Sequence, residues 1–567
     1  MSDVLDWGAL LAVSIGGVDR TADLVGAGSL DRELDCAGIG TFRLARGTAV
    51  PAIGATVAIS GIVAVPYAGF VSTLDYDPGA QCWVVGCTDG LQEVFEAQPT
   101  PAAILALLPA GAIWHPDLHG EFRQGWEAAQ DALGTVPYSI YIESGALLAV
   151  PWAGTGYATT IAHTGGGIYD GSVRYTAARR RELIGALTAT VQVRYTRLHQ
   201  WTLSCSWAIL DWSFCNWIAR AFPLPTRQMV AETVAGNTWS LVESTGLSIG
   251  GDGLGIYTQG LPASGPQCGT IWSLIGGATD QGFVWTNVEF GTPAESIWHA
   301  AWKLARRWSQ TLVETYTLVV AGPPGTIGAV LTDETASHDA PCDDTGWDAS
   351  AATRLPSGVG WQGGAIHLWA DVLTAADRTT VLQGMQQMMA TRIRRSHRQH
   401  VLGATVEPGD EPSLGTRARL IAEDVSGTGQ VSRLLTHWDC DSQAAGCDVS
   451  VIVTEGTTAG DTLAAPDAPD MSPTAGGYTL SGSLSLGTHV GGLSADPAVE
   501  PEQSDTWDGW ICNVQEGIGY PVAGSQTYET GFTLITPDVP AGARDEQPGA
   551  VTHAVTIATL AGAVTFS

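Results

Sequence analysis

Lysine is almost missing from this sequence of 567 residues, in which Lys303 is the single example and charged residues make up only 15%. Without a lysine in a glycine-rich loop, a Walker-type phosphate loop is excluded and a Schiff-base lysine is disfavoured. No run of about 18 apolar residues is present, so we expect no transmembrane helix. The first residues, Met1–Asp6, are acidic where a secretory signal is basic, so we expect no such signal.

Cysteine is sparse and follows no pattern. Ten cysteines are scattered from Cys36 to Cys512, and no two of them form a Cys-x-x-Cys pair. This spacing excludes a zinc ribbon, and no three cysteines have the spacing of an iron–sulfur cluster. We therefore expect mostly buried free thiols in a protein made in a reducing cytoplasm.

Acidic, turn-forming and aromatic residues are plentiful instead. The chain has 57 acidic and 26 basic residues, a formal net charge of −31, 70 glycines, 29 prolines and 21 tryptophans. A surface of this charge repels nucleic acid and anionic membranes. Because 45% of the residues are hydrophobic, packed cores are expected and wholesale disorder is excluded. Many turns and many aromatics favour a β-rich chain of two to four domains.

The first hundred residues predict a small antiparallel β-barrel. Predicted strands contain the alternating sets Leu11, Val13, Ile15 and Val57, Ile59, and run over 70–76 and 82–85. The last two strands are joined by Asp77-Pro78-Gly79-Ala80, in which proline presets φ and glycine accepts a positive φ. A helical insertion follows, with Thr100 as a cap before Pro101. Its helices are predicted over 102–108 and 121–133, and its strands over 138–142 and 146–150.

The middle of the chain gives a mixed pattern. Strands are predicted over 187–195, 201–207 and 312–320, helices over 212–222, 227–234 and 294–308, and a glycine-rich loop over 246–255. The clearest helix runs from a cap at Thr374 to about His397. Its apolar residues recur at spacings of three and four and predict a core-facing stripe: Val381, Leu382, Met385, Met388, Met389 and Ile393.

The end of that helix carries four arginines, Arg392, Arg394, Arg395 and Arg398. They suit the negative end of the helix dipole, and a nucleic-acid contact is the alternative interpretation. Strands are predicted beyond it over 401–406, 416–423, 430–438 and 448–453. Residues 456–477 are rich in proline, alanine, aspartate and threonine and predict a linker.

The chain has no strict internal repeat, but two stretches carry strands and turns in a characteristic order. The first comprises Gly69–Tyr76, the turn at Asp77-Pro78-Gly79 and Trp83–Gln92, preceded by Ser29–Asp35, Thr41–Leu44 and Pro51–Val57; the second comprises Leu414–Leu420, Gly429–Arg433 and His437–Asp439; between them, Gln124–Val150 gives a helix and a strand pair around Gly145. In this order and spacing, over residues 8–455, the chain resembles tailed-bacteriophage baseplate hub proteins. Residues 456–567 match nothing in that family.

The resemblance implies a mainly β, α+β protein with two tail-tube-like antiparallel β-barrels, helical insertions and a C-terminal β-rich extension. Hubs of this family are trimers, so three chains present six barrels to a sixfold tail tube and a threefold end to the tail tip. Implied partners are two further copies of the chain, a distal tail or tail tube protein, the tape measure protein and a tail tip or fibre protein. DNA would pass through the centre without sequence recognition, and no stable membrane insertion is implied.

Several motifs suggest chemistry, and each has a plainer interpretation. Gly246-Leu247-Ser248-Ile249-Gly250 matches a nucleophile elbow, but the glycines after it favour a flexible loop over the helix that an elbow needs. His115 and His119 have the i, i+4 spacing of zinc ligands on a helix, but Pro116 and Gly120 favour a surface turn. Asp339, Asp343, Asp344 and Asp348 lack EF-hand spacing and predict a solvated acidic loop. The tryptophans at 201, 207, 212 and 217 suit a sugar platform or, by the interpretation we prefer, an aromatic core.

We therefore expect a non-enzymatic structural hub of a long-tailed phage, with no catalytic, cofactor-binding or metal-binding residues, located in the tail tip or baseplate of the virion and made in the host cytoplasm. The expected divisions are a first barrel (1–98), a helical and strand insertion (99–155), the start of the second barrel with a helical insertion (156–325), its completion (326–455), a linker (456–475) and the extension (476–567). A β-rich surface adhesin or carbohydrate-binding protein is the alternative, and a cell-wall hydrolase has the least support.

Overall fold

The computed structural model describes residues 11–123, 125–154, 156–163, 167–177, 182–209, 240–249, 256–257, 270–271, 274–279, 282–285, 288–290, 298–322, 328–342, 347–348, 350, 352–354, 366–373, 375–422, 424–453, 463–473, 488–493, 502–503, 508–515, 526–534, 544–558 and 564–566.

Seven strands build the first β region: β1 Ala12–Ile15, β2 Val18–Asp19, β3 Ala27–Glu33, β4 Ile39–Ala45, β5 Thr56–Ser60, β6 Tyr67–Asp77 and β7 Cys82–Thr88, with a 3₁₀ turn at Thr21–Asp23. They pair antiparallel in the order β3-β4-β7-β6-β5-β1-β2. Alternate side chains along the strands, such as Val13, Phe42, Ile59 and Val85, fill one core. The strands predicted from alternation are confirmed, because a strand with one buried face shows period two. We call β1–β7 the N-terminal module.

Four short helices and a hairpin follow: α1 Leu91–Glu96, α2 Pro101–Leu105, α3 Pro116–His119, α4 Trp126–Leu133, β8 Tyr138–Glu143 and β9 Ala146–Pro151. Thr100 caps α2 as predicted, since its hydroxyl accepts a hydrogen bond from the amide of Ala103 at 3.3 Å. The helix predicted over 121–133 begins only at Trp126. Gly125 precedes it with φ 76, a conformation that stops a helix from extending backwards.

The second half begins with short strands, β10 Thr159–Ala162 and β11 Arg174–Thr176, and continues with β12 Ile184–Ile209, β13 Ser240–Ile249, β14 Ile256–Tyr257, β15 Thr270–Ile271, β16 Leu274–Thr279, β17 Gly282–Trp285, β18 Val288–Phe290, β19 Trp298–Ala321, β20 Ala329–Ala340, β21 Thr353–Arg354 and β22 Ile366–Asp371. Helix α5, Ala375–His397, leads to β23 Val401–Val406, β24 Arg417–Ile421, β25 Val425–Asp439 and β26 Ala444–Val453. The last strands are β27 Thr488–Leu493, β28 Glu502–Gln503, β29 Asp508–Gln515, β30 Gln526–Leu534, β31 Gln547–Thr556 and β32 Val564–Phe566.

The long strands form a seven-stranded sheet of β12, β13, β19, β20, β21, β22 and β31, which we call the long-strand sheet. β12 and β19 pair antiparallel from Ala186 with Ala321 to Ile209 with Trp298. The helix predicted over 294–308 is therefore wrong from Trp298 onward. Alanine, leucine and arginine give that stretch helical propensity, and pairing with a partner far away in sequence overrides it.

Two other predictions fall on this region. The glycine-rich loop predicted over 246–255 is wrong for 246–249, which belong to β13; a register shift between Ser244 and Gly246 accommodates the glycine in the ladder. Residues 250–255 lie outside the described residues, as do the helices predicted over 212–222 and 227–234.

Helix α5 packs on the long-strand sheet. Its stripe is confirmed at Val381, Leu382, Met385, Met389 and Ile393, which are buried against β12 and β19 residues, whereas Met388 is only half-buried. The predicted cap, Thr374, lies outside the described residues. Gln386 and Gln387 also turn inward, so the buried face is wider than the predicted stripe.

The chain after β26 adds residues to the long-strand sheet and to the sheet that contains β25. Leu463 and Met471, from the stretch predicted as a linker, are buried in the core under α5. β31 adds to the edge of β19 in parallel, and β32 pairs with the start of β25. A parallel addition needs a long connection, which the intervening residues supply.

The second β region, which we call the C-terminal module, consists of β10, β11, β23–β26 and β32. Its five main strands pair antiparallel in the order β11-β23-β26-β25-β24, and those of the N-terminal module pair in the order β3-β4-β7-β6-β5. Chain order is β11, β23, β24, β25, β26 in one module and β3, β4, β5, β6, β7 in the other. The two modules therefore share one five-strand topology, strand for strand.

The hairpin turns of the two modules are alike in detail. Asp77 Oδ1 accepts hydrogen bonds from the amides two and three residues later, and Asp439 Oδ1 does the same. The fourth residue after each aspartate has positive φ, 53° at Gln81 and 54° at Gln443. Such an aspartate turn followed by a left-handed residue sets the register of each hairpin. The Asp77 turn was predicted from its residues; a turn was also predicted between Cys440 and Cys447, but the part that Asp439 plays in it was not.

The protein is thus mainly β with helical insertions, as expected. The described pairings do not close either module on itself, since β3 pairs with β25 of the other module and not with a strand of its own. Among the described residues, no helix combines the length and the apolar character needed to cross a bilayer.

Candidate functional site: the junction between the two modules

One strand pair joins the two modules into a single sheet. β3 runs antiparallel to the second half of β25, from Glu33 opposite Arg433 to Ala27 opposite Asp439. Arg433 holds Asp31 in a two-pronged ion pair, with distances of 2.8 Å and 2.6 Å between nitrogen and oxygen atoms. The hydrogen bonds to Asp31 raise the pKa of Arg433 above its ordinary value, so this arginine keeps its charge.

Each module inserts a side chain into the core of the other. Trp438, on β25, is 5% exposed and lies in the core of the N-terminal module. Gly28 lies opposite it, and a Cβ there would sit 2.5 Å from the indole ring, so only glycine permits this packing. Leu34, just after β3, is buried in the core of the C-terminal module. The exchange makes the modules one packing unit.

A buried ion pair reinforces the junction. Arg32 and Glu411 are both buried, with 3.3 Å between Nη2 and Oε1. Glu411 also accepts hydrogen bonds from the amides of Ala64 and Gly409, each at 2.7 Å, and Arg32 donates to the carbonyl of Val65. The carboxylate therefore replaces water with three protein donors from both modules.

Two of the four arginines at the end of α5 are buried against protein groups. Arg398 is buried, lies over the ring of Trp152 at 4.7 Å and donates to Gln430 Oε1 at 2.8 Å. Burial lowers its pKa to about 9. Arg394 is buried too and bonds the carbonyl of Ala558. These two guanidinium groups face protein, which speaks against a nucleic-acid contact through them and adds packing to the predicted dipole role, whereas Arg392 and Arg395 are exposed.

Among the strand edges without a partner in the described part of the chain, two occupy corresponding places in the two modules. The second half of β6, from Ser72 to Asp77, pairs with β7 on one side only, because the bonds to β5 and the residues before it end at Val71. β11 pairs with β23 only. In the shared topology, β25 of the C-terminal module corresponds to β6, and β3 of the N-terminal module corresponds to β11. Within the chain, β25 and β3 pair with each other.

A buried histidine cluster lies in the long-strand sheet. His199 Nδ1 is 3.0 Å from His367 Nε2, and His199 Nε2 is 3.3 Å from Gln310 Oε1. Since that amide oxygen only accepts, His199 carries its proton on Nε2 and accepts from His367. Trp308 stacks on His199 with 4.8 Å between ring centroids. Both rings are therefore held neutral, and burial lowers the pKa of His199 to about 3 and that of His367 to about 4.

We expect acid to destabilise the protein through this pair. The unfolded chain takes up protons at its ordinary histidine pKa of about 6.5, whereas the folded pair does not, so this stability is complete above that pH and is lost as pH falls towards 4. The free energy of unfolding, measured by denaturant titration, should fall by at least about 2 kcal/mol between pH 7 and pH 4.5. The double variant His199→Gln, His367→Gln should flatten this fall, and His163→Gln, in a more exposed pair with Asp170, should leave it unchanged. Equal pH profiles in all three proteins would contradict the assignment.

The other motifs separate in the structure. Gly246–Ile249 lie inside β13, so this part of the proposed nucleophile elbow has no turn. The structure does not bring His115 and His119 together as a pair of metal ligands. His115 caps α3, and His119 stacks on Trp114. The expected surface turn is a partly buried helical turn, because α3 packs against β20 and α5.

Cysteine, aspartate and tryptophan predictions are partly testable. Cys82, Cys87 and Cys447 are buried free thiols as expected, Cys342 and Cys440 are half-buried, and Cys36 is exposed. Asp339 lies at the end of β20, while 343–346 are outside the described residues. Trp201 and Trp207 lie on β12, and Trp212 and Trp217 are outside the described residues.

Comparison with known proteins gives structural neighbours only. No protein-family model and no curated protein matches the chain. A tail protein from Neisseria meningitidis MC58 aligns with 9% identity over 78% of this chain and 95% of its own, TM-score 0.36. The 43 kDa tail protein of prophage MuSo2 from Shewanella oneidensis aligns with 10% identity over 78% and 98%, TM-score 0.34. An E. coli type VI secretion component, described as similar to T4 tail proteins gp27 and gp5, aligns with 8% identity over 90% and 91%, TM-score 0.28. All three TM-scores lie below 0.5, so these likenesses assign no function.

Proposed function

We propose that the chain is a structural baseplate hub of a long-tailed phage, which assembles as a trimeric ring between the tail tube and the tail tip. The observation that carries the proposal is the repeated five-strand topology of the two modules, joined edge to edge through β3 and β25. Three chains with two like modules each supply six similar units around one axis. Such a ring fits a sixfold tube on one side and a threefold tip on the other.

The free edges support closure of the ring. Within one chain, the first strand of the N-terminal module pairs with the long strand of the C-terminal module. The corresponding strands are β11 in the C-terminal module and β6 in the N-terminal module. Each of them keeps an open edge. A head-to-tail contact of β11 with β6 of the next copy repeats the internal contact, and repetition of one heterologous contact closes a ring when its rotation allows. Closure also removes edges that otherwise invite aggregation.

A side-chain equivalence points to the same contact. Counted back from the two matching turns, Tyr76 on β6 stands where Trp438 stands on β25, one residue before the aspartate. Trp438 is buried by the partner module, whereas Tyr76 is 39% exposed and rests on Trp83 at 5.0 Å between ring centroids. An exposed aromatic at this place is an anchor for a second copy.

The remaining roles follow from position and charge. A net charge of −31 per chain suits a channel through which DNA passes without adhering. The proposed neighbours are a distal tail or tail tube protein, the tape measure protein and a tip or fibre protein, with the C-terminal extension docking one of them. The work is done by surfaces, and we assign no catalytic residue.

The test is the mass and shape of the purified full chain. Light scattering should give roughly 180 kDa, three times the chain mass of 59.1 kDa, and negative-stain images should show threefold rings. Stable monomers at micromolar concentration would contradict the proposal, and monomers that bind glycans would favour the adhesin alternative.

A further inference from the structure

Three metal-binding side chains converge where α3 meets β20. His115 caps α3, Asp117 lies in its first turn, and His338 lies near the end of β20. Asp117 Oδ2 is 3.2 Å from His115 Nδ1 and 2.5 Å from His338 Nδ1. One donor atom of each residue lies within 4.8 Å of the other two. The cluster was missed in the sequence because His338 is far from the other two residues along the chain.

The donor set suits a transition-metal ion. Two imidazole nitrogens and one carboxylate oxygen are ligands that zinc binds tetrahedrally with one position left open. With bonds of about 2.0 to 2.1 Å, tetrahedral ligand atoms lie about 3.3 Å apart. The His115–Asp117 distance matches this value, and the Asp117–His338 distance has to open by under about 1 Å, which rotation of the carboxylate supplies. In the structure His115 Nδ1 accepts the capping hydrogen bond from the amide of Asp117 at 3.2 Å, so an ion bound at this nitrogen replaces that bond.

The three residues lie where the helical insertion packs against α5 and the long-strand sheet. α3 is seated on α5 at Gly384, where a Cβ would lie 2.5 Å from Leu118. An ion held by these three residues would tie the helical insertion to the long-strand sheet, because α3 belongs to the insertion and β20 to the sheet.

We propose that His115, Asp117 and His338 bind one divalent transition-metal ion of the zinc class, which clamps α3 to β20. The ion is structural, since it connects two elements. The inference does not depend on the ring, because all three ligands belong to one chain.

The test is metal binding by the chelator-treated full chain. Equilibrium dialysis with Zn²⁺ should give one saturable equivalent per chain, and Co²⁺ should give the visible absorption of a tetrahedral site. Asp117→Asn and His338→Gln should each weaken Zn²⁺ binding by at least about 100-fold, more than the loss of an outer partner causes. Wild-type protein at a free Zn²⁺ concentration 100 times its dissociation constant should gain about 100-fold in its folding equilibrium.

Two controls separate the site from general effects. His119→Gln, four residues from His115 and outside the trio, and His163→Gln, in another His–Asp pair, should keep the equivalent of Zn²⁺. His338→Cys keeps a zinc ligand and should retain binding, which tells lost ligation from lost folding; circular dichroism without metal checks each variant. Absence of saturable binding in the wild type, or Zn²⁺ binding that survives both Asp117→Asn and His338→Gln, overturns the proposal.

Discussion

Replacing Tyr76 by aspartate is expected to turn the proposed rings of three chains into folded monomers. Tyr76 is exposed at the open edge of β6 and occupies the place that Trp438 holds at the internal junction. A buried aromatic anchor at the centre of an interface contributes 2 kcal/mol or more, roughly, and a carboxylate left there without a partner opposes association further. Light scattering at micromolar concentration measures the shift directly.

Two comparisons make the Tyr76 result specific. Tyr157→Asp adds the same charge at another exposed tyrosine, 47% exposed beside Arg419, and should leave the trimer intact. Trp438→Asp places a carboxylate in the core of the N-terminal module and should unfold the chain instead of dissociating it. If Tyr76→Asp remains a trimer, or if Tyr157→Asp dissociates equally, β6 is not the contact between copies.

Removal of Glu411 is expected to cost several times more stability than loss of the exposed ion pair at the same module junction. Glu411→Ala leaves the guanidinium of Arg32 buried without its carboxylate and takes the acceptor from two backbone amides. Breaking one side of a buried ion pair costs about 3–5 kcal/mol. Urea unfolding of the full chain should show this shift in its midpoint.

The second ion pair of the junction provides the control. Arg433 and Asp31 join β25 to β3, and their side chains are 43% and 36% exposed. Water screens such a pair, so Asp31→Ala should cost only about 0.2–1 kcal/mol. The double variant Arg32→Met, Glu411→Leu should recover part of the loss, since apolar residues of similar size remove the unpaired charge. Equal costs for Glu411→Ala and Asp31→Ala would show that burial does not set the strength of these contacts.

Local sequence patterns correctly predicted the strands, turns and helices whose conformation is set by neighbouring residues. Alternation along β1 and β5 was visible because each strand buries one face, and the Asp77 turn because proline and glycine fix its backbone. Helix α5 was predicted to within a residue at its described end, since its apolar residues recur with the helical period. The strand at Trp298–Trp308 was missed, because its conformation comes from pairing with β12 and not from its own composition.

By itself, the sequence determined a mainly β chain with helical insertions and two separated strand-rich regions, since hydrophobic period and turn chemistry are written in neighbouring residues. Only the tertiary structure decided that the two regions share one topology, that Trp438 and Leu34 cross between their cores, and that His338 joins His115 and Asp117. These contacts bring together residues that are hundreds of positions apart, and no local pattern records which distant strand a given strand will meet.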